Sequence, residues 1–341
     1  MQKLFTCTLS ERKTEVFTLE DPTEIARQYP QALWVCDTHT QPFLPDQVHF
    51  VVLASGETAK TWASIELIIR KAREASLARD GRLIAFGGGV VCDLTAFAAS
   101  IYMRGCHLTL VPTTLLAMVD ASLGGKTAID LLGAKNLVGT FYPAEHLMIC
   151  TPLLHSLNDT EFFNGLGEVL KHALLAQDTT LYQFLTEHQM AVEQRDSDVL
   201  DTMIRLSLMV KQSYIERDPT EQRGIRDALN LGHTFAHALE SVGNMVEFSH
   251  GQAVAWGVIR ALEAGVAQSI TPKPFAHLYR SLFDQYHFAT DGKVADIPRF
   301  MQALASDKKR KGNEVRFILM EGQGKHVSVP LPKSLIHQVI S

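Results

Sequence analysis

The first half of the chain alternates between short apolar runs and longer amphipathic ones. Ala32–Cys36, His49–Leu53, Arg82–Phe86, His107–Val111 and Leu147–Cys150 are apolar almost throughout, with β-branched residues, as strands buried on both faces are. Between them Thr58–Ala78 and Val90–Tyr102 place apolar residues at helical spacing, and Thr113–Val119 predicts a shorter helix. This alternation predicts a mostly parallel sheet covered by helices. Past Thr151-Pro152 the pattern turns helical, over Asp159–Ala176, Thr180–Glu187, Val199–Glu216, Arg226–Ser241 and Gly251–Ser269. Strand signals return only near Val315–Leu319 and His326–Val329. The change of pattern sets a boundary near residue 150, between an α/β domain over 1–150 and a mainly α-helical domain over 151–341.

Within the Arg226–Ser241 run, Arg226, Asn230, His233 and His237 recur at the spacing of one helical face. Ala228, Leu229, Leu231, Phe235, Ala236 and Leu239 occupy the rest of the circumference, so the helix is expected to be largely buried. A buried stripe of cation, amide and two imidazoles is costly unless it binds something. A solvated face would carry Lys and Glu instead, and none stands on this stripe.

Composition narrows the picture. With 341 residues, 46% hydrophobic and 20% charged, the chain is long enough for two cores and is not disordered. A net charge of −5 gives no global basic field for nucleic acid or an anionic membrane, and no apolar stretch has the length of a bilayer span. Five scattered cysteines without a Cys-x-x-Cys pair exclude a cysteine zinc knuckle and fit a reducing cytoplasm.

Several motifs carry candidate chemistry. Gly87-Gly88-Gly89-Val90-Val91-Cys92-Asp93 follows a strand and opens a helix, which suits either phosphate binding or a tight turn with Asp93 as a cap. Glu57 and Lys60 stand after another strand, where they read as helix-start charges able to bracket a ribose. Asp120, Lys126, Lys135 and Asn136 gather charge around Gly124-Gly125, as a phosphorylated ligand requires. Glu168 and Lys171 lie one turn apart among Leu166, Val169, Leu170 and Leu174. Taken alone they would be a surface ion pair. With the histidine stripe, Glu168 is instead an oxygen ligand for a metal held also by His233 and by His250 of Ser249-His250-Gly251. One carboxylate and two imidazoles leave coordination positions open, as catalytic zinc does.

Together these residues resemble the 3-dehydroquinate synthase family of sugar-phosphate cyclases, from about Gly56 to Lys311. The stretches that carry it are Gly87–Asp93, Tyr102-Met103-Arg104-Gly105, Val111-Pro112-Thr113-Thr114, Asp120–Thr127, Lys135-Asn136, Gly167–Lys171, Leu229–Phe235 and His250-Gly251. The resemblance implies an N-terminal NAD-binding, Rossmann-like domain, a helical C-terminal metal and substrate domain, a site in the cleft between them, and a homodimer. It implies conversion of 3-deoxy-D-arabino-heptulosonate 7-phosphate to 3-dehydroquinate and phosphate in the shikimate pathway, using NAD⁺ within one turnover and a divalent metal, zinc or alternatively cobalt. Carried over by position, Glu168, His233 and His250 bind the metal. Asp37, Glu57, Lys60, Gly88, Gly89, Val90, Asp93, Thr113 and Thr114 contact the cofactor, with Asp120, Lys126 and Lys135 near it and the substrate alike. Asn136, Lys171, Lys211, Arg226, Asn230, His237 and Lys308 or Lys309 surround the substrate, and Arg104 reaches the neighbouring subunit's phosphate site. The alternatives are a 2-deoxy-scyllo-inosose synthase-like cyclase and a metal-dependent glycerol or alcohol dehydrogenase. The chain departs from the family pattern at Cys92, at Gln222 (a glutamate position, with Glu221 adjacent) and at Gln252, while Asp130 stands where asparagine or aspartate occurs.

Overall fold

The computed structural model describes residues 1–243, 248–307 and 315–341. It divides into two compact units, Met1–Phe162 and Phe163–Ser341.

Unit 1 is built on a seven-stranded sheet. Its strands are β1 (Gln2–Leu9), β2 (Arg12–Thr18), β3 (Leu33–Asp37), β4 (His49–Leu53), β5 (Arg82–Gly87), β6 (His107–Pro112) and, after a hairpin, β9 (His146–Ile149). They lie in the order β1-β2-β9-β6-β5-β3-β4. All neighbouring pairs are parallel except β1 with β2, which leaves β1 as an antiparallel edge. The chain runs outward from β3 to β4, then returns to β5 on the other side of β3, so the order reverses between β3 and β5. In such sheets ligands sit outside the carboxyl ends of the strands at this switch point. Trp34, Cys36, Ile84, Phe86, Val111 and Met148 form a buried core with Leu19 and Ile25, the latter from α1 (Thr23–Gln28). Helices α2 (Trp62–Glu74) and α3 (Gly89–Ile101) pack together, with α3 against β5 and β6.

The hairpin β7 (Lys126–Leu131) and β8 (Ala134–Phe141) was not visible as strands in the sequence. Its two-residue loop, Leu132-Gly133, has both φ angles positive, 52° and 74°, as a primed hairpin turn requires. In the β1–β2 hairpin only the first loop residue, Ser10 at φ 57°, is left-handed. The short helix expected over Thr113–Val119 is present, shifted toward its C-terminal end, with a wide π-helical turn over Ala117–Ala121.

Unit 2 contains α4 (Asp159–Leu175, which begins in unit 1), α5 (Thr180–Glu187), α6 (Gln189–Glu193), α7 (Ser197–Ile215), α8 (His233–Val242), α9 (His250–Ala267), α10 (Lys273–Gln285), α11 (Ile297–Asp307) and α12 (Lys333–Ile340), with the hairpin β10 (Arg316–Gly322) and β11 (Lys325–Pro330). Helix α9 is buried on nearly all sides, from Gly251 to Gly265, with α8, α10, α12 and β10 packed around it. A helix apolar around its whole circumference belongs in such a central position.

One expectation fails here. Arg226 to Ser241 is not a single helix: a 3₁₀ turn spans Arg226–Asn230, the chain kinks at Leu231-Gly232, and α8 begins at His233. The cause is tertiary. Gly232 has φ 80°, and a Cβ there would stand 2.6 Å from the Val258 nitrogen of α9. The polar residues read as one stripe therefore leave two elements, and the helical periodicity across the break is accidental.

Candidate active site and metal centre

Three helices of unit 2 bring the proposed metal donors together. Glu168 projects from α4, His233 opens α8 and His250 opens α9. Glu168 Oε1 is 3.4 Å from His233 Nε2 and 3.3 Å from His250 Nε2. Two ligands each about 2 Å from a tetrahedral ion stand about 3.3 Å apart, so these spacings match tetrahedral edges. The remaining ring nitrogens are already committed: His233 Nδ1 is 3.3 Å from the Leu231 carbonyl, and His250 Nδ1 is 3.0 Å from Glu240 Oε1. That fixes both rings with Nε2 toward Glu168, the usual outer-shell arrangement of metal-binding histidines.

The carboxylate itself asks for a cation. Glu168 is fully buried, and neither oxygen receives a hydrogen bond of regular geometry among the described residues. Burial pushes its pKa up, but Lys171, His233 and His250 outweigh burial and hold it well below the usual carboxylate range. Burial alone would lower the pKa of His250; its contacts with Glu168 and Glu240 reverse that and raise it to about 10. The donor chemistry, the spacing and a buried carboxylate held in its charged form fit a divalent ion.

Glycine makes the convergence possible. Each donor is the chain neighbour of a glycine at a close helix approach: Gly167 beside Glu168, Gly232 beside His233, Gly251 beside His250. A Cβ on Gly167 would lie 2.7 Å from the Gly251 carbonyl oxygen, and one on Gly251 would lie 2.6 Å from the Asn164 Cα. The Asn164 side chain closes the contact, accepting a 3.0 Å hydrogen bond from the Gly251 N–H. Ser249 and Gln252 form a full capping box at the start of α9. Glutamine serves there as well as glutamate, which accounts for Gln252 in structural terms.

Unit 2 buries further cations, one of them against a donor. Lys171 is buried, pairs with Glu168 Oε2 at 2.5 Å and donates to the Leu229 carbonyl at 2.6 Å. Lys211 is buried on α7. Arg226 is buried, donates to the Pro219 carbonyl at 2.9 Å and lies 3.5 Å from Glu221 Oε1. Thus Glu221, not Gln222, supplies the carboxylate beside Arg226. Asn230 ends the 3₁₀ turn and is half-buried; His237 is exposed, its ring 5.5 Å from that of His233. Lys308 and Lys309 lie outside the described residues.

Sequence reasoning missed Asp218. It is buried and accepts four backbone hydrogen bonds, from Gln222 and Arg223 at Oδ1 and from Ile225 and Arg226 at Oδ2, between 2.9 and 3.3 Å. This holds the loop that delivers Arg226. The Asp-Pro dipeptide was the available turn signal. Glu240 was missed as well; it sits seven residues beyond His233 with no local mark of its role.

In unit 1 the glycine loop ends β5 and starts α3 at the switch point. A Cβ on Gly88 would lie 3.3 Å from Thr114 Cγ2 and one on Gly89 3.4 Å from Ala121 Cβ. The bare backbone leaves a cradle beside the free N–H groups of α3, suited to a dinucleotide's phosphates. Cys92 is buried, its thiol 3.6 Å from the Gly87 carbonyl, and burial raises its pKa. Asp37, at the end of β3, accepts from the His39 and Thr40 N–H groups. Lys60 is buried and pairs with Asp93 at 2.6 Å; burial outweighs that lysine and raises the Asp93 pKa to about 6. Glu57 is exposed, Val90 and Thr114 are half-buried, and Thr113 is buried. Asp120 lies in the wide turn, while Lys126 and Lys135 are exposed on the β7–β8 hairpin with Asn136. Arg104 is exposed, with φ 67° after Met103 at 49°, and lines a cavity of about 580 Å³ with Arg12, Lys13, Arg79 and His107.

Residues 50–164 match the model of the 3-dehydroquinate synthase N-terminal domain, and 165–310 that of its C-terminal domain. A 3-dehydroquinate synthase of Acidithiobacillus ferrooxidans is 37% identical over 291 residues, 85% of this chain and 79% of that relative. A bifunctional 3-dehydroquinate synthase/phosphatase of Fusobacterium nucleatum is 35% identical over 283 residues; the alignment spans 83% of this chain but 42% of that longer protein. Among solved structures, a 2-epi-5-epi-valiolone synthase of Streptomyces hygroscopicus with NAD⁺ and Zn²⁺ bound superposes with a TM-score of 0.85 at 24% identity, over 97% of each chain. The last likeness speaks for the fold.

Proposed function

The chain belongs to the 3-dehydroquinate synthase family, and on that premise we propose how its residues divide the work of the family's reaction, the cyclisation of 3-deoxy-D-arabino-heptulosonate 7-phosphate to 3-dehydroquinate with loss of phosphate. When bound, NAD⁺ takes and returns a hydride and the divalent ion, zinc or cobalt, polarises a substrate hydroxyl. Glu168, His233 and His250 hold the ion. The cradle of Gly88, Gly89 and Val90 holds the pyrophosphate, with Asp37, Glu57, Lys60, Asp93, Thr113 and Thr114 along the rest of the dinucleotide. Asp120, Lys126 and Lys135 serve cofactor and substrate alike. Lys126, Lys135, Lys171, Lys211 and Arg226 neutralise the carboxylate and phosphate charge that grows as phosphate leaves. Asn136 and Asn230 orient hydroxyls, and His237 exchanges protons with the substrate near the ion. Lys308 or Lys309 adds a further cation.

A homodimer in the cytoplasm completes the proposal, with Arg104 of one subunit reaching the phosphate site of the next. The cavity beside it, where Arg12, Lys13 and Arg79 outnumber Asp80 and Glu145, supports that reach. Among the described residues no helix is long and apolar enough to cross a membrane.

The observation that carries the reading is the tetrahedral-edge spacing of one buried carboxylate and two oriented imidazoles. The test is a phosphate-release assay with NAD⁺ and zinc. Phosphate should appear without net NADH; steady NADH accumulation would identify a dehydrogenase instead.

A further inference from the structure

The β7–β8 hairpin is irregular where it carries the proposed substrate residues. Ile129 pairs with Val138 and Leu131 with Ala134, so one residue of β7, Asp130, faces three of β8: Lys135, Asn136 and Leu137. Such bulges re-aim side chains beside functional sites. Asn136, at the middle of the bulge, has φ 52°, a left-handed conformation that needs local support in a residue other than glycine.

Asp130 supplies that support and extends it. Its Oδ1 accepts the Asn136 backbone N–H at 2.7 Å, and its own N–H donates to the Lys60 carbonyl at 2.8 Å. Lys60 Nζ in turn donates to Asn136 Oδ1 at 2.5 Å and pairs with Asp93 Oδ2 at 2.6 Å. The four contacts form a closed circuit: Asp130 to Asn136, Asn136 to Lys60, Lys60 back to Asp130, with Asp93 of the glycine-loop helix fastened to the same ammonium.

We propose that Asp130 is a positioning residue that fixes the bulge aiming Lys135 and Asn136 and registers it, through Lys60, against the helix that follows the glycine loop. The proposal rests on the reading of Lys135 and Asn136 as substrate residues. Asp130 need touch neither substrate nor cofactor; it sets where the hairpin's polar side chains stand relative to Asp93. What it supplies is an acceptor at Oδ1, not a charge, so asparagine preserves the role and alanine removes it.

The experiment compares Asp130→Ala and Asp130→Asn with the unaltered protein, by phosphate-release kinetics, NAD⁺ binding, and deuterium exchange over Ala134–Phe141. Leaving the Asn136 N–H without its acceptor predicts a fall in kcat/KM of about tenfold in Asp130→Ala, mainly through KM for the sugar phosphate. NAD⁺ affinity should weaken less than KM rises, since Lys135 serves both ligands, and Asp130→Asn should recover most of the activity. Exchange in β8 should accelerate in the alanine variant and not in the asparagine variant. Unchanged kcat/KM in Asp130→Ala, or equal loss in both variants, overturns the proposal. If the unaltered chain releases no phosphate, the functional reading fails instead, and exchange alone decides the positioning role: unchanged β8 protection in Asp130→Ala sinks it.

Discussion

Gly167 and Gly251 meet backbone to backbone, so closely that a methyl group on Gly167 would be 2.7 Å from the Gly251 carbonyl oxygen. This contact sets the distance between the helix bearing Glu168 and the helix opened by His250. Gly251→Ala is therefore expected to lower stability by about 1–3 kcal/mol, as overpacking does. It should also reduce bound zinc, measured by elemental analysis beside thermal unfolding. Full zinc content at unchanged stability would show that the contact yields without moving the donors.

Removing a donor should separate metal binding from turnover. Glu168→Ala and His233→Ala are expected to purify without stoichiometric zinc, whereas Lys126→Ala keeps its zinc and loses phosphate release. Metal analysis of the three variants checks this, and retained zinc in both donor variants would overturn the ligand assignment.

Glu240 touches the proposed metal site only through the His250 ring. Glu240→Ala leaves all three donors in place, yet should weaken zinc affinity by about ten- to a hundredfold, the usual effect of losing an outer-shell partner. A chelator competition titration measures it. Glu240→Gln, which keeps an oxygen acceptor, should lie between the two.

Asp218 gives a pH signature. Burial pushes its carboxyl pKa up, but four backbone N–H donors hold it below the ordinary value. A group depressed in the folded state stabilises above its unfolded pKa, and that contribution disappears as pH falls through the folded value. Stability should thus decline in acid below about pH 4, and Asp218→Asn should flatten the decline. Asp218→Ala leaves N–H groups without their acceptor, at a cost of about 1–3 kcal/mol for each that stays buried. Denaturant unfolding between neutral and acid pH tests the slope.

The sequence was most readable where one element's neighbours do not alter its local preference. The buried parallel strands showed themselves as continuous apolar runs, and α5, α7 and α9 by their periodicity. The β1–β2 and β7–β8 hairpins escaped because Leu132-Gly133 lacks the Asn-Gly signal of a primed turn, and Ser10 likewise marks no obvious reversal. Helix α10 was not among the predicted elements; it starts at Pro272 and Pro274, and proline suits a helix's first turn. The break at Gly232 could not be seen at all, since α9, distant in sequence, imposes it. The same divide holds at the site. Glu168, His233 and His250 stood out as polar donors among apolar residues, while Asp218 and Glu240 drew no notice and Asp130 was marked only by its place in the family pattern. Their importance lies in whom they meet, which only the folded chain reveals.

The three proposed donors come from segments up to 82 positions apart, Glu168 to His250, so a fragment lacking one of those segments can offer an ion only a partial grip. Zinc must then discriminate sharply between docked and undocked helices. At a free concentration a hundred times its dissociation constant it would add about 2.7 kcal/mol to the resistance of that unit against unfolding. The ion would thus act as a clasp on the architecture as well as a participant in the chemistry, and starving the protein of metal should loosen α4, α8 and α9 before any strand of the parallel sheet.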